Sequence, residues 1–176
     1  MKTRGTSRIS PHLAFGEISP YTLWHAVIAH HKEQKGPSEG RDTYLSQIGW
    51  REFSYNLLYY FPEFPNRNFQ AKFDKFEWEK INEEIYLKAW KSGKTGYPIV
   101  DAAMRELQAT GWQHNRCRMI TASFLIKDLF VDWRRGEEHF WEYLVDADIA
   151  NNSAGWQWVS GGGADPSPYF RIFNPL

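Results

Sequence analysis

The sequence predicts an all-α fold, and three observations predict it. Apolar residues recur at helical spacing in several separate segments. Residues that start and stop helices bracket those segments. No segment sustains the apolar–polar alternation of a half-buried strand.

The elements follow in chain order. Ser19-Pro20 supplies an N-cap and a proline at the first helical position, and Trp24, Val27, Ile28 and His31 follow at helical spacing. Lys35-Gly36-Pro37-Ser38-Glu39-Gly40 reads as a loop. Asp42 is placed to cap the next helix, which carries Leu45, Ile48, Phe53, Leu57 and Tyr60 close to one face and ends at Pro62. Residues 61–76 are aromatic, and Pro62 and Pro65 argue against regular structure there. A short helix is expected over 82–91. Pro98 starts the next, through Ile99, Ala102, Ala103 and Leu107, and Gly111 suits its C-terminal cap. Residues 114–130 read as one long helix. Residues 137–145 form another, with Phe140, Trp141 and Leu144 inward, and 151–160 a last one, stopped by Gly161-Gly162-Gly163.

A length of 176 residues suits one domain. Twenty-one basic residues balance 21 acidic ones, which excludes a uniformly basic nucleic-acid binder but not a local basic face. Nine Trp, nine Tyr and twelve Phe are far more aromatic rings than usual. The single cysteine, Cys117, excludes an internal disulfide framework, a cysteine-based zinc site and a cysteine-held iron–sulfur cluster, and it favours a reducing compartment. His25, His30, His31 and His139 form no metal-binding spacing, and no metal is expected. No apolar run approaches the roughly 20 residues of a membrane span, and Met1-Lys2-Thr3-Arg4-Gly5 lacks the apolar core of a secretory signal. A cytoplasmic monomer, in a bacterial cytosol or nucleoid, is the expectation.

Charge is segregated. Residues 111–135 carry five basic and two acidic side chains, and 137–148 carry five acidic and no Lys or Arg. Two solvated helix faces of opposite sign would explain this; a basic face toward a polyanion is the sharper reading.

Four stretches carry chemistry. Gly5-Thr6-Ser7-Arg8-Ile9-Ser10-Pro11 gathers three hydroxyls and an arginine that could donate to phosphate oxygens, although such a stretch alone more often marks a turn and cap. Gln47, Trp50 and Arg51 share a helix face, where a stacking plane sits beside an amide and a guanidinium. Asn115, Arg118 and Met119 share another, with Arg116 beside them. Asp146-Ala147-Asp148, followed by Asn151-Asn152, offers helix-capping carboxylates that could also accept from a ribose hydroxyl or a heterocycle N–H. Trp78, Trp133 and Trp156 lie in different segments, and core packing is their ordinary explanation.

Taken together and in this order, these stretches resemble the flavin-binding domain of the DNA photolyase and cryptochrome family. The resemblance also rests on Gly93-Lys94-Thr95-Gly96-Tyr97-Pro98-Ile99-Val100-Asp101-Ala102-Ala103-Met104-Arg105, Gly155-Trp156-Gln157-Trp158 and Tyr169-Phe170-Arg171-Ile172-Phe173-Asn174-Pro175. It implies a helical domain that holds FAD in a folded conformation. By position, Thr6, Ser7, Arg8, Ile9 and Ser10 look like the phosphate loop, and Arg51 like its basic partner. Asn115, Arg118, Asp146, Ala147, Asp148 and Asn152 look like the flavin and adenosine contacts, with Arg118 and Asp146 an ion pair beside the ring system and Asn152 facing flavin N5.

The activity implied is light-driven splitting of pyrimidine dimers in damaged DNA, by an electron from reduced FAD, on a dimer flipped out of the duplex. Gln47, Trp50, Asn115, Arg116, Met119 and Trp158 match dimer-pocket and DNA-contact positions. Trp156, Trp133 and Trp78, in that order outward, match the chain that re-reduces an oxidised flavin, with Trp90 competing for the outermost place.

Within the family, six-four photolyases and animal cryptochromes resemble a pattern with His at the positions of Asn115 and Met119. Plant cryptochromes resemble one without Trp50, with Tyr for Trp158 and Asp for Asn152. This chain has neither pattern, which implies a cyclobutane pyrimidine dimer photolyase. One position departs: Gln47 stands where many such enzymes carry Glu, so a negative charge is lost while the hydrogen-bonding shape is kept. Residues 1–176 are expected to form a partial domain, without the family's N-terminal antenna domain and C-terminal end. The alternatives are a cryptochrome-type blue-light receptor and an inactive truncated fragment.

Overall fold

A computed structural model describes residues 5–34, 38–168 and 170–176. Residues 1–4, Lys35-Gly36-Pro37 of the expected loop and Tyr169 of the last motif lie outside the described residues. The helices are α1 (Ser10–Ala14), α2 (Pro20–Gln34), α3 (Ser38–Tyr60), α4 (Glu83–Lys91), α5 (Pro98–Thr110), α6 (Asn115–Ser123), α7 (Trp133–Tyr143) and α8 (Ile149–Ser160). No strand occurs among the described residues.

Local chemistry sets most boundaries. The Ser19 hydroxyl accepts from the Thr22 N–H at 3.0 Å and caps α2. Gly111 closes α5 in the left-handed region, φ 66°, its N–H donating to the Leu107 carbonyl. Asp148 caps α8 by accepting from the Asn151 N–H at 2.8 Å, and Gly161 ends it at φ 91°.

Four expectations are corrected. α3 begins at Ser38, so Ser38 to Gly40 are helix rather than loop, and Asp42 lies inside the helix, where it pairs with Arg41 instead of capping. α7 begins at Trp133, earlier than expected, because the Asp132 carboxylate accepts from the Arg134 N–H at 3.0 Å. The expected long helix over 114–130 is α-helical only to Ser123; a π-helical turn follows over Phe124–Asp128, and Phe130 leaves it at φ 53°. Phe124, Leu125 and Ile126 of this turn are buried in the core, as are Thr121, Ala122 and Ser123 of the α-helix before it. Leu23, not Trp24, is the buried residue of its turn in α2, and Phe53, Tyr60 and Trp141 face outward.

The core forms two clusters. The larger joins α4 to α8 through Leu87, Trp90, Met104, Leu125, Trp133, Phe140 and Trp156. The smaller holds α2 against α3 through Leu23, Leu45 and Ile48, with Ile9 and Leu13 packed on it. α8 packs on α3, α6 and α7. Its crossing with α7 needs a glycine: a Cβ on Gly136 would lie 2.1 Å from the Trp156 ring.

Candidate functional site

Two of the quoted motifs serve the architecture. The Asp101 carboxylate accepts from Thr95 N–H (2.7 Å), Thr95 Oγ1 (2.6 Å) and Gly96 N–H (3.0 Å), which fixes the turn before α5. Burial pushes that carboxyl up, and the Thr95 and Gly96 bonds outweigh it, so it sits below its ordinary value. Buried Gln157 accepts from the Phe69 N–H and donates to the Phe64 and Arg67 carbonyls, tying α8 to the irregular segment before it.

The remaining motifs converge on α3, α6 and α8. Along α3, Tyr44, Gln47, Arg51 and Tyr55 recur on one side of the helix. Tyr44 Oη donates to the Ser7 hydroxyl at 3.2 Å, bringing the 5–11 stretch onto this side. Arg51 Nη2 donates to the Leu13 carbonyl of α1 (3.1 Å) and to Tyr55 Oη (3.0 Å), and Nη1 lies 3.3 Å from Asp148 Oδ2. The guanidinium also sits over the Tyr55 ring, 4.8 Å from its centroid. Tyr55 Oη in turn donates to Asp148 Oδ2. Three helices are thereby joined through one charged cluster. Burial pushes the Asp148 carboxyl up, but the hydrogen bonds from Tyr55 and Asn151 and the Arg51 charge overcome it, and the group lies below its ordinary value. Burial and the neighbouring Asp148 push the Tyr55 hydroxyl up, so it stays a donor.

Arg118 Nη2 grips both oxygens of Asp146, at 3.0 and 2.8 Å, and its Nε donates to the Gln113 carbonyl. The Asp146 side chain is 3% exposed and that of Arg118 25%, so the pair has one dry end and one wet end. Ala147 packs against the main core. Asn152 Nδ2 donates to the Glu137 carbonyl at 3.0 Å.

The other nominated residues line the surroundings. Arg8 is left-handed, φ 54°, and its guanidinium stacks 4.5 Å above the Trp112 ring. Thr6 and Ser7 are exposed, and Ile9 and Ser10 half-buried. Asn115 and Arg116 open α6 and are exposed, Arg116 Nη1 lying 3.8 Å from Met119 Sδ. Gln47 and Trp50 are exposed, with the Trp50 ring edge-on to Phe53. Trp158 is half-buried beside Phe173 and Arg171. Among the described residues no ring contact joins Trp50 to Trp158.

Trp156 and Trp133 are buried in the main cluster, and Trp78 is half-buried against it. Trp133 Nε1 donates to Asn68 Oδ1 at 3.0 Å. The tryptophan ring in contact with Trp156 is that of buried Trp90, at 6.1 Å. Trp78 borders a groove of about 240 Å³ lined by Phe73, Phe76, Ile126, Lys127 and Phe130. None of the nominated cofactor contacts lines that groove; we place the candidate site at the polar convergence, where the donors and charges are.

Sequence reading missed Tyr55 and Glu137. Tyr55 had a signal, since it lies one turn beyond Arg51 on the same face. Glu137 had none: its carboxylate accepts from Ser153 Oγ, sixteen residues away. Burial pushes Glu137 up to about 7, against the opposing Ser153 bond and Arg134 charge.

Among the described residues no helix is long and apolar enough to cross a membrane. The family described as the FAD binding domain of DNA photolyase matches residues 44–176. A deoxyribodipyrimidine photo-lyase of Agrobacterium fabrum is 54% identical over 173 residues, covering 97% of this chain and 35% of that protein. A class III photolyase of Agrobacterium tumefaciens superposes with a TM-score of 0.91 at 53% identity, over 98% of this chain and 35% of its own. An archaeal photolyase of Sulfolobus tokodaii, solved with two FAD molecules, gives 0.83 at 42% identity, over 98% of this chain and 37% of its own. The chain thus spans about a third of the length of the relatives it matches.

Proposed function

Because this chain belongs to the family of FAD-binding domains of DNA photolyase, we propose that it binds FAD and, in its complete protein, repairs cyclobutane pyrimidine dimers in DNA with light. The observation that carries this reading is the convergence of four distant segments on one site. These are the 6–10 loop, Arg51, the Arg118–Asp146 pair and the Asp148–Asn152 turn.

The donor set fits a flavin dinucleotide. Thr6 and Ser7 offer exposed hydroxyls and Arg51 a positive charge, a donor set that suits a diphosphate. Arg118 and Asp146 offer a donor and an acceptor side by side, which suits a heterocycle carrying both carbonyl and N–H edges. Asn152, oriented by the Glu137 carbonyl, would offer its amide oxygen to the ring system. When bound and reduced, FAD supplies the light-excited electron that splits the dimer.

The chain's own residues do the rest. Trp50 and Trp158 form apolar walls for an extruded dimer, and Gln47, Asn115 and Met119 contact its base edges. Arg116 holds a neighbouring phosphate. Extrusion is favoured because a dimer stacks poorly in the duplex. Trp156 and Trp133 are buried and Trp78 is half-buried, which supports Trp78 as the outer end of an electron path; the ring contact between Trp156 and Trp90 supports Trp90 as a branch. The protein works as a cytoplasmic monomer.

The test begins with FAD added to the purified chain, followed by desalting and a visible spectrum. Retained flavin bands are expected, and then, in the complete protein, light-dependent repair of dimer-containing single strands. A colourless protein removes the cofactor reading for this chain. A coloured complete protein without repair favours a photoreceptor.

A further inference from the structure

The Asp148 carboxylate divides its partners unevenly. Oδ1 takes both hydrogen bonds from Asn151, backbone and side chain, each at 2.8 Å. Oδ2 takes the Tyr55 hydroxyl and faces Arg51 only at a longer 3.3 Å. Arg51 makes its closer bonds elsewhere, to the Leu13 carbonyl and to Tyr55 Oη. Asp148 Oδ2 is thus shared between the Tyr55 hydroxyl and a looser ion pair to Arg51.

We propose that Tyr55 is a specificity-determining positioning residue: its hydroxyl takes up Asp148 Oδ2, so that the Arg51–Asp148 pair stays loose enough for an anionic diphosphate to compete for the Arg51 charge. This rests on the FAD reading of the same site and adds to it a residue that selects dinucleotide flavins over uncharged ones. Without the hydroxyl, Asp148 Oδ2 has Arg51 as its remaining partner, and the ion pair closes. An incoming diphosphate must then break that pair, whereas a ligand without phosphates meets no such competition. The aromatic ring is not the agent, because phenylalanine would keep the stacking beneath the guanidinium.

The experiment compares the chain with its Tyr55→Phe variant in titrations of FAD against riboflavin, and of ADP against adenosine as a second matched pair. Amide exchange at Asn151 is followed without ligand. The expected result is an affinity loss of about tenfold for FAD and ADP (~1.4 kcal/mol), little change for riboflavin and adenosine, and Asn151 exchange unchanged because Oδ1 still caps α8. Equal losses for charged and uncharged ligands, or faster Asn151 exchange, would mean a merely structural role and overturn the proposal. Unchanged FAD binding in the variant overturns it too. Failure of the unaltered chain to bind FAD or ADP overturns the cofactor reading itself, and the proposal with it.

Discussion

Arg118 and Asp146 differ in what the loss of each would leave behind. Deleting Arg118 strands a carboxylate whose side chain is only 3% exposed. Arg118→Ala should lower unfolding free energy in urea by about 2–3 kcal/mol, below the range for fully buried pairs because the arginine is partly wet. Arg118→Lys should recover part of this, since a single ammonium does not reproduce the grip on both oxygens. Equal stability of Arg118→Ala and the unaltered chain would contradict the pairing. Gln47 poses a different question, because it is exposed and its side chain bears no charge. On the proposed function, Gln47→Glu in the complete protein should raise the dimer-splitting yield per photon, its carboxylate attracting the thymine N–H groups; an unchanged or lower yield sinks that expectation. Helical spacing made part of the site legible, placing Gln47 with Trp50 and Arg51, and Asn115 with Arg118 and Met119. The Arg118–Asp146 pair spans 28 residues, beyond the reach of any local spacing, and only the family resemblance suggested it.

Helix ends were legible where a cap or a breaker announced them. Pro98, Gly111 and Gly161 mark real boundaries. Asp132 caps α7, yet the sequence reading began that helix at Glu137, because Trp133 to Gly136 carries only one apolar side chain and gave no periodic signal. The π-helical turn, closed by the Leu129 N–H on the Phe124 carbonyl, was illegible because no cap or breaker announces it. Trp141 was expected inside on the strength of its neighbour Phe140, but adjacent helical residues point about 100° apart, and only Phe140 is buried. The same packing makes Gly136 the most exacting position on α7. A Cβ there would meet Trp156 ring atoms at 2.1 and 2.5 Å and a Leu125 methyl at 2.7 Å, so two helices must separate to admit it. Gly136→Ala should destabilise by about 3 kcal/mol despite alanine's higher helix propensity. Near-ultraviolet circular dichroism should report a changed tryptophan environment; a variant as stable as the parent would show that α7 and α8 do not cross this closely.

For the molecule as a whole, basic and acidic residues balance, and pH sensitivity falls to groups whose burial opposes their charge. Two stand out, with opposite signs. Burial, helped by the Lys91 charge, lowers His139 to about 4, where it packs against Trp90 and Tyr143. Its contribution is present above the unfolded value near 6.5 and is lost as pH falls through 4. Burial raises Glu137 to about 7, so its contribution is present below the unfolded value near 4.5 and is lost as pH rises through 7. Between about pH 4.5 and 6.5 the two slopes oppose each other, and the contributions of these two groups offset. Each single variant should unmask the other group. Glu137→Gln keeps an acceptor for Ser153 but no longer titrates. Relative to the unaltered chain, it should gain about 2–3 kcal/mol between pH 5 and pH 8. His139→Phe should tilt the other way, losing stability as pH rises across the same range. Urea unfolding of the three proteins at pH 5, 6.5 and 8 decides the matter. Parallel profiles would mean that neither side chain is held away from its ordinary protonation, and that the α7–α8 seam is wetter than its packing indicates.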